Sequence, residues 1–406
     1  MHKQRLIEDG TGPLRKLKVL DISRLLAGNF LSFHLAEFGA EVIKVEDPIH
    51  GDPLRNFSVK GNTVQWDVYA RNKKSVALDL KTEKGKELLW ELIPECDVLI
   101  ENYKPGMLEK IGFAPELILK ANPKMIVVRI SGWGQTGPYG AKPGFGTLIE
   151  AFSGFAAKTG FPSTPPLLPN LGLADLISGV TGAFAVVAAI REVENGNGEG
   201  QVIDLSLLES MTTFLASDPH VCSVTGQPIK RLGNRGEVAA PRNLYLCSDG
   251  NYLAISASMQ SMVEKLFRAM DREDLLENPR FATNEDRVEN NDELDEIVRE
   301  FVSRRSLEEN LSFFEERGIT VGPLHDAISI LGDQHIIDRE VYVQAETGKG
   351  KYFPTSNTAP RLSKTPGGVH HQAPEIGEHT TEILLRLGKD KKYLADLETN
   401  GVVKLG

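Results

Sequence analysis

The feature that most constrains the fold is the alternation of short apolar strands with helical patterns over residues 17–131. The predicted strands are 17–22, 40–46, 74–80, 97–102 and 124–131, and the predicted helices are 29–39, 82–93 and 114–121. Strands and helices at this spacing form βαβ units, whose strands run parallel. The pattern therefore predicts an α/β fold with a doubly wound, mostly parallel sheet. Ligands of such sheets bind beyond the carboxyl ends of the strands.

The domain organisation follows from length and from a second pattern downstream. A chain of 406 residues exceeds the usual size of one hydrophobic core, which predicts two lobes. A β-hairpin pattern around Asp249-Gly250 starts a new unit, and three helical patterns follow it. Residues 340–370 are rich in Pro, Gly, Ser and Thr and lack periodicity, which is typical of a connection. We expect a large domain at 1–224, a small α/β domain at 225–330, and a linker returning to the large domain at 331–406.

Composition excludes several classes of function. A net charge of -10 argues against nucleic acid as a partner, because such binding needs a basic face. The three cysteines are scattered without a CxxC motif, which indicates a reduced compartment, and we expect the cytoplasm. No histidine pair has metal-ligand spacing, so no metal is expected. The N-terminus lacks a secretory apolar stretch, and the apolar run after Asp175 looks too short for the roughly 20 residues of a membrane span, so no membrane contact is expected.

A nicotinamide dinucleotide site is a minor alternative. Glu46 ends the second strand, where a carboxylate could bind a ribose. The first turn, "SRLLAGNF", has Gly28 alone and lacks the GxGxxG that lets the backbone approach a diphosphate. The glycines at 196–200 follow a helix and precede a strand, the reverse of the required order, and are better interpreted as a surface turn.

Basic residues lie close to several predicted strand ends. They are "RNKKS" at 71–75, Arg55, Lys81, Lys104 and Lys110. They form either a solvated charged edge or, if they converge in the fold, a phosphate-binding site. The sequence alone leaves both interpretations open.

Asp175 is the only acidic residue from 151 to 191, and it lies in the small, apolar stretch "PNLGLADLISGV" before a predicted helix at 176–191. One interpretation is an N-cap for that helix. Another is a carboxylate nucleophile near backbone N–H groups that could stabilise an oxyanion. The small residues around it would leave room for a ligand: Gly172, Ser178, Gly179 and Gly182.

Taken together, the motifs resemble those of the class III CoA-transferases, the group that includes formyl-CoA transferase and carnitine CoA-transferase, with the α-methylacyl-CoA racemases as relatives. The resemblance runs over nearly the whole chain. Its motifs, in order, are "KVLDISRLLAGNF", "LAEFGAEVIKVEDPIHGDPLR", "NKKSVALDLKTEKGKELL", "DVLIENYKPGMLEKIGF", "ISGWGQTGPYG", "GLADLISGVTGAFAVVAAI", "GEGQVIDLSLLES", "GITVGPLHDA" and "GEHTTEIL".

The resemblance implies a Rossmann-like large domain built from both ends of the chain and a small inserted α/β domain. It also implies two subunits interlocked like rings, either a homodimer or a heteromer with a homologous chain. CoA or acyl-CoA is the implied ligand, as a substrate, with no further cofactor. Asp175 is the implied catalytic aspartate. The implied CoA-binding residues are Ala27, Leu78, Lys81, Asn102, Tyr103, Lys104 and Lys110.

The chain departs from its relatives at several positions. Formyl-CoA transferases have an arginine where this chain has Asp47, a loss for which Arg55 could compensate. Phe145 stands where the racemases have a histidine, and a racemase needs a base on each face of the α-carbon. Gly146 stands where formyl-CoA transferases have a glutamate, and Glu150, one helical turn later, could replace it. Phe145, Gly146 and Glu150 therefore form a candidate substrate loop.

The expected reaction is transfer of CoA from an acyl-CoA, succinyl-CoA among the candidates, to a carboxylic acid through a mixed anhydride and a CoA thioester on Asp175. A racemase or epimerase that uses Asp175 as a base is the alternative. A non-catalytic CoA-binding protein is a third hypothesis.

Overall fold

A computed structural model describes residues 1–8, 10–347 and 350–406. In chain order the strands are β1 Lys18–Asp21, β2 Glu41–Glu46, β3 Lys73–Leu78, β4 Val98–Glu101, β5 Ile126–Ser131, β6 Gln201–Ser206, β7 Arg242–Leu246, β8 Tyr252–Ser256, β9 Val321–Pro323, β10 Tyr342–Glu346, β11 Tyr352–Ser356 and β12 Val403–Lys404. The α-helices are α1 Leu26–Glu37, α2 Val64–Tyr69, α3 Glu83–Leu92, α4 Met107–Lys110, α5 Pro115–Ala121, α6 Gly146–Phe152, α7 Phe155–Lys158, α8 Leu173–Asn195, α9 Leu207–Phe214, α10 Asp218–Thr225, α11 Gln260–Ala269, α12 Asp274–Glu277, α13 Asn284–Glu289, α14 Asn291–Val302, α15 Leu307–Glu315, α16 Gln334–Asp338, α17 Thr380–Arg386 and α18 Lys391–Thr399. Short 3₁₀ helices span Pro53–Asn56, Ile93–Glu95 and Ser329–Gly332.

The central sheet has the order β12-β3-β2-β1-β4-β5-β6. Strands β1 to β6 pair in parallel, and β12 adds an antiparallel edge to β3. This confirms the predicted α/β, mostly parallel sheet. The strand order reverses between β1 and β4, because β2 lies on one side of β1 and β4 on the other. That reversal is the switch point, where ligands of doubly wound sheets bind.

Two apolar layers cover the sheet, one on each face. Side chains of β1 to β5 alternate between them, since successive residues of a strand point to opposite faces. One layer packs the sheet against α3, α5, α17 and α18, with buried Leu20, Ile43 and Leu99 from the strands. The other packs it against α1, α6, α8 and α9, with buried Val19 and Val42 from the strands. Burial on both faces explains why β4 (VLIE) and β5 (IVVRIS) are mostly apolar.

The chain divides into two compact units. The first comprises 1–155, 168–220 and 334–406, and the second comprises 156–167 and 221–333. In the second unit, β7, β8 and β9 form an antiparallel sheet, and the predicted hairpin is β7–β8. Its core includes Tyr245, Phe267 and Phe314, all buried. The boundaries expected at 224/225 and 330/331 stay predictions.

The segment 340–370 is more regular than the sequence suggested. Strands β10 and β11 pair as an antiparallel hairpin, with Val343 opposite Thr355 and Ala345 opposite Phe353. Val343 and Ala345 are buried, so one face of the hairpin is packed. The expectation that this segment lacks periodicity is therefore wrong, because two alternating patterns of five residues are hidden among turn-forming neighbours. Residues 348 and 349 lie outside the described part.

Helix α8 is longer than the predicted 176–191. It has 23 residues and a window of mean hydropathy 2.0, so by length and composition it could cross a membrane, and the expectation that it is too short was wrong. It packs along α1. A Cβ on Gly179 would lie 3.1 Å from the Leu31 backbone nitrogen, and a Cβ on Gly182 would lie 2.6 Å from Leu205. These glycines therefore leave room for neighbouring elements of the fold instead of a ligand.

A buried ionic cluster lies at the carboxyl ends of β1 and β2. The Lys44 ammonium is 3.3 Å from the Asp21 carboxylate and 2.9 Å from that of Asp52, and all three side chains are buried. Burial lowers the pKa of Lys44, but the two carboxylates outweigh that effect and raise it above its ordinary value. Asp52 also caps the 3₁₀ helix by accepting the Leu54 N–H. The cluster thus ties two strands to the turn that follows them.

Neither open interpretation of "RNKKS" is correct. Arg71 is buried and donates to the Glu37 carboxylate at 2.9 Å. Lys73 is also buried, its ammonium donates to the Asn29 carbonyl and side-chain oxygens at 2.9 Å each, and burial lowers its pKa to about 7. Lys74 pairs with Glu382 at 2.7 Å. These cations hold the fold together and do not converge on a phosphate site.

Replacing Lys44 by methionine should destabilise the protein strongly. Lys44→Met leaves Asp21 and Asp52 buried with a partner removed, so we expect a loss of about 3–5 kcal/mol in the free energy of unfolding. Urea unfolding of the variant and the parent measures this loss. Lys84→Met, at an exposed lysine, is the control and should change stability by about 0.5 kcal/mol or less. A similarly small effect at Lys44 would contradict the role of the cluster.

Candidate functional site

Two cavities open at the carboxyl ends of the parallel strands in the first unit. The aspartate cavity, of about 470 Å³, is lined by Asp175 together with Leu25, Ala27, Asn102, Lys104, Trp133 and Phe145. The β3 cavity, of about 510 Å³, is lined by Leu78, Asp79, Lys81, Asp47 and His50. Arg24, Tyr103 and Met107 line both cavities. Arg24 follows β1 and Tyr103 follows β4, so the junction lies at the switch point.

Asp175 is the third residue of α8, which begins at Leu173 after Gly172. Gly172 is the N-cap residue of α8, so the prediction that Asp175 is the N-cap was wrong. The helix starts three residues earlier than predicted, which moves Asp175 inside the first turn. The aspartate side chain lies against bare backbone, since a Cβ on Gly146 would be 2.5 Å from its Oδ2. Glycine at 146 therefore makes room for the carboxylate.

Glu150 lies behind Asp175 and is almost fully buried, at 2% exposure. Its Oε1 accepts a hydrogen bond from the Ala174 N–H at 3.1 Å, so it satisfies a free donor of the first turn of α8. Burial, and secondly the charge of Glu150, raise the pKa of Asp175 to about 6. Asp175 is thus ionised at neutral pH yet more basic than an ordinary aspartate.

Asn102 lines the aspartate cavity, and its side-chain amide bonds to the backbone of the loop after β1. Its Oδ1 accepts the Arg24 N–H at 2.8 Å, and its Nδ2 donates to the Arg24 carbonyl at 2.6 Å. The amide therefore clamps the loop after β1 to the loop after β4. Ala27 is buried in the first turn of α1, and Lys104 is exposed at the cavity wall.

In the β3 cavity, Leu78 is buried and Lys81 is largely exposed, with its ammonium 3.9 Å from the Asp47 carboxylate. Arg55 does not take the place of the arginine that is missing at position 47. It donates to both oxygens of Glu46, at 2.8 and 2.7 Å, and its guanidinium stacks 3.7 Å from the Trp66 ring.

Most of the expected site residues therefore come together, but Lys110 does not. It ends α4 and lines neither cavity. Phe145 lines the aspartate cavity and is 63% exposed, and Gly146 contacts Asp175 directly. Glu150 is not among the lining residues and acts through Asp175 and α8.

Sequence reasoning missed an aromatic cluster and a basic residue. Trp133, Tyr139 and Phe152 pack edge to face, with ring centroids 5.0–5.8 Å apart. A Cβ on Gly132 would lie 2.6 Å from the Gly144 Cα, so this glycine-rich loop is folded closely on itself. The glycines at both ends of the loop, Gly132 and Gly144, were the sequence signal that could have predicted this close folding. Arg24 lies in the stretch "SRLLAGNF" after a predicted strand end but was not singled out there.

Among the residues that the structure describes, no three His, Cys, Asp or Glu side chains are arranged to hold a metal ion.

Comparison with known proteins identifies the family. The sequence model described as CoA-transferase family III matches residues 14–380. The chain is 36% identical to the succinyl-CoA–D-citramalate CoA-transferase of Chloroflexus aurantiacus, over 96% of this chain and 98% of that protein. It is also 36% identical to the beta subunit of the succinyl-CoA–L-malate CoA-transferase of that organism, over 97% and 100%. The crystal structure of a CAIB/BAIF family protein from Brucella suis superposes with a TM-score of 0.81 at 31% identity, covering 93% of this chain and 100% of that one. The chain therefore belongs to CoA-transferase family III, and it is an enzyme that transfers coenzyme A.

Proposed function

We propose that the enzyme moves CoA from an acyl-CoA donor, with succinyl-CoA as the first candidate, to a free carboxylic acid, and that Asp175 is the nucleophile. The observation that carries this proposal is the position of Asp175. Its carboxylate borders a cavity at the switch point, and its pKa is raised to about 6 by burial and by Glu150. The names of the relatives make citramalate and malate the first acceptors to test.

The exchange proceeds in four balanced steps. The Asp175 carboxylate attacks the donor thioester carbonyl, which forms a mixed anhydride and releases the CoA thiolate. The thiolate attacks the aspartyl carbonyl, which forms an aspartyl-CoA thioester and releases the donor acid. The acceptor carboxylate then attacks this thioester, which forms a second anhydride and frees the thiolate again. Attack of the thiolate on the acceptor carbonyl yields the new acyl-CoA and restores Asp175. No water enters, and holding the thiolate nearby makes each step effectively intramolecular.

CoA lies across both cavities in this proposal. Its thioester reaches Asp175 past Ala27 and Lys104, and its nucleotide lies in the β3 cavity with Leu78 and Lys81. Asn102 contributes by holding the Arg24 backbone, and Tyr103 borders both cavities. Lys110 remains a candidate for a phosphate contact outside the cavities. The substrate loop is Phe145 and Gly146, with Glu150 supporting Asp175.

The racemase alternative has less support. Among the described residues lining the aspartate cavity, Asp175 is the one carboxylate and there is no histidine. Phe145 cannot exchange a proton, so a second base for the opposite face of the α-carbon is not provided by a carboxylate or imidazole there.

Two subunits interlock in the proposed working enzyme. Support comes from α8, where Val180, Phe184 and Val187 are 51%, 74% and 44% exposed in the single chain. Large apolar side chains grouped in this way are typical of a protein contact. The partner is a second copy or, as the subunit name of one relative suggests, a homologous chain. The proposed location is the cytoplasm, which fits three cysteines without disulfides.

Asp175→Asn should abolish acyl transfer. The amide preserves the shape beside Gly146 but is not a nucleophile, so we expect at least about a 10³-fold loss of activity. The parent should also form a hydroxylamine-sensitive adduct with succinyl-CoA on the peptide that contains Asp175, detected by mass spectrometry. Retained CoA binding is the control for folding. If the parent leaves this peptide unmodified but still exchanges the α-proton of the acyl-CoA in heavy water, Asp175 acts as a base instead.

Glu150→Gln should shift the pH dependence of adduct formation. The rate falls as acid protonates Asp175, so its acid limb follows the Asp175 pKa of about 6. Glutamine keeps an oxygen for the Ala174 N–H but removes the negative charge, which lowers the pKa of Asp175 and moves the acid limb to lower pH. Glu192→Gln, at the other end of α8, is the control and should leave the profile in place. An unchanged profile in Glu150→Gln would contradict the electrostatic role of Glu150.

Phe184→Glu should weaken subunit association. It places a charge at the most exposed large apolar side chain of α8, and burying an unpaired charge in an interface is costly. Light scattering on a sizing column should show a dimer for the parent and a large fraction of monomer for the variant. The control Lys120→Glu, on exposed α5 surface, should remain dimeric. A monomeric parent would overturn the dimer proposal.

A further inference from the structure

The loop after β1 has a backbone conformation that costs energy. Leu25 has φ 65° and ψ −143°, a strained region that a leucine rarely adopts. Such a conformation persists only where neighbouring groups hold it in place. Here the Leu25 N–H donates to the buried Asp52 carboxylate at 3.0 Å.

The two preceding residues are held as firmly. The buried Lys44 ammonium donates to the Ser23 carbonyl, and the Ser23 hydroxyl donates to Asp21 at 2.6 Å. Both backbone groups of Arg24 bond to the Asn102 side chain. Every residue of the Ser23–Leu25 loop is therefore fixed by a polar side chain from β1, β2, the loop after β4 or the turn after β2.

The fixed loop presents the Arg24 side chain to the junction of the two cavities. Arg24 is exposed, and within residues 1–8, 10–347 and 350–406 no acceptor hydrogen-bonds or ion-pairs with its guanidinium. Of the three residues that line both cavities, the others being Tyr103 and Met107, Arg24 is the one cation. Two nearby cations are already paired: Lys44 with two aspartates and Arg55 with Glu46.

A ligand that fills both cavities must pass this junction. CoA has its thiol at one end and its adenosine 3′-phosphate at the other, with a diphosphate between pantetheine and adenosine. When the thioester reaches Asp175 and the nucleotide occupies the β3 cavity, the diphosphate lies near the junction. A guanidinium with five donors in a planar fork suits phosphate oxygens particularly well.

We propose that Arg24 is a CoA-binding residue that grips the diphosphate, and that the strained Ser23–Leu25 loop exists to hold it at the junction of the cavities. This inference rests on the proposed placement of CoA across both cavities.

The test compares three probes whose phosphates differ. Calorimetry measures binding of CoA, dephospho-CoA and pantetheine to the parent, Arg24→Gln and Arg24→Lys. Arg24→Gln should weaken CoA and dephospho-CoA by the same factor, about 10-fold to 100-fold, and leave pantetheine unchanged. Arg24→Lys, which keeps the charge but not the fork, should recover part of the loss. Arg304→Gln, at an exposed arginine that lines neither cavity, is the control and should bind all three probes normally.

Three results would overturn the proposal. An equal loss for pantetheine would mean that Arg24 shapes the cavity instead of binding phosphate. A loss for CoA but not dephospho-CoA would assign Arg24 to the 3′-phosphate. If Arg24→Gln binds CoA as the parent does, Arg24 is not a CoA-binding residue, whether or not the KM for dicarboxylate acceptors rises. These binding measurements need no turnover. If the expected binding pattern is found but no adduct forms on Asp175, the nucleophilic role of Asp175 is refuted and the role of Arg24 stands.

Discussion

The buried contact of Lys44 with Asp21 and Asp52 is the interaction on which the site depends. It joins the carboxyl ends of β1 and β2, the two strands that lead into the cavities. Asp52 then holds the Leu25 N–H, and Lys44 holds the Ser23 carbonyl. Because an unpaired charge in this position would be costly, the ions keep one another in place and the loop with them. A strained loop can therefore border the cavity at the switch point.

Helix α8 gives Asp175 its position through close packing. Gly179 and Gly182 let the helix approach α1 and β6, and Gly146 leaves space for the carboxylate. Glu150 accepts an N–H of the first turn and adds a negative charge behind Asp175. Small residues and one buried acid thus create a carboxylate that is both exposed to a cavity and unusually basic. That combination suits a nucleophile that must attack a thioester at neutral pH.

Much of the fold was predictable because its signals are local. The strands from β1 to β5 are four to six residues long, and each prediction agrees with the structure to within two residues at either end. The hairpin β10–β11 was not predictable, since its alternation is short and its neighbours are turn formers. The burial of Arg71 and Lys73 was also hidden, because their partners Glu37 and Asn29 belong to α1, more than 30 residues earlier. Contacts between residues far apart in the chain produce no periodic pattern in the sequence, so they cannot be predicted from it.

For the site, the sequence by itself determined the family pattern, the edge of the sheet where a ligand is expected, and Asp175 as the acid to examine. Those conclusions follow from the motifs, from the alternation of strands and helices, and from one carboxylate in an apolar stretch. Only the tertiary structure decided that Asp175 is inside α8 instead of capping it, that Asn102 holds a backbone, and that Arg55 is occupied by Glu46. It also brought Arg24 to the junction of two cavities. The physical reason is that a side chain's role depends on which distant groups satisfy its hydrogen bonds and charge, and folding alone sets those partners.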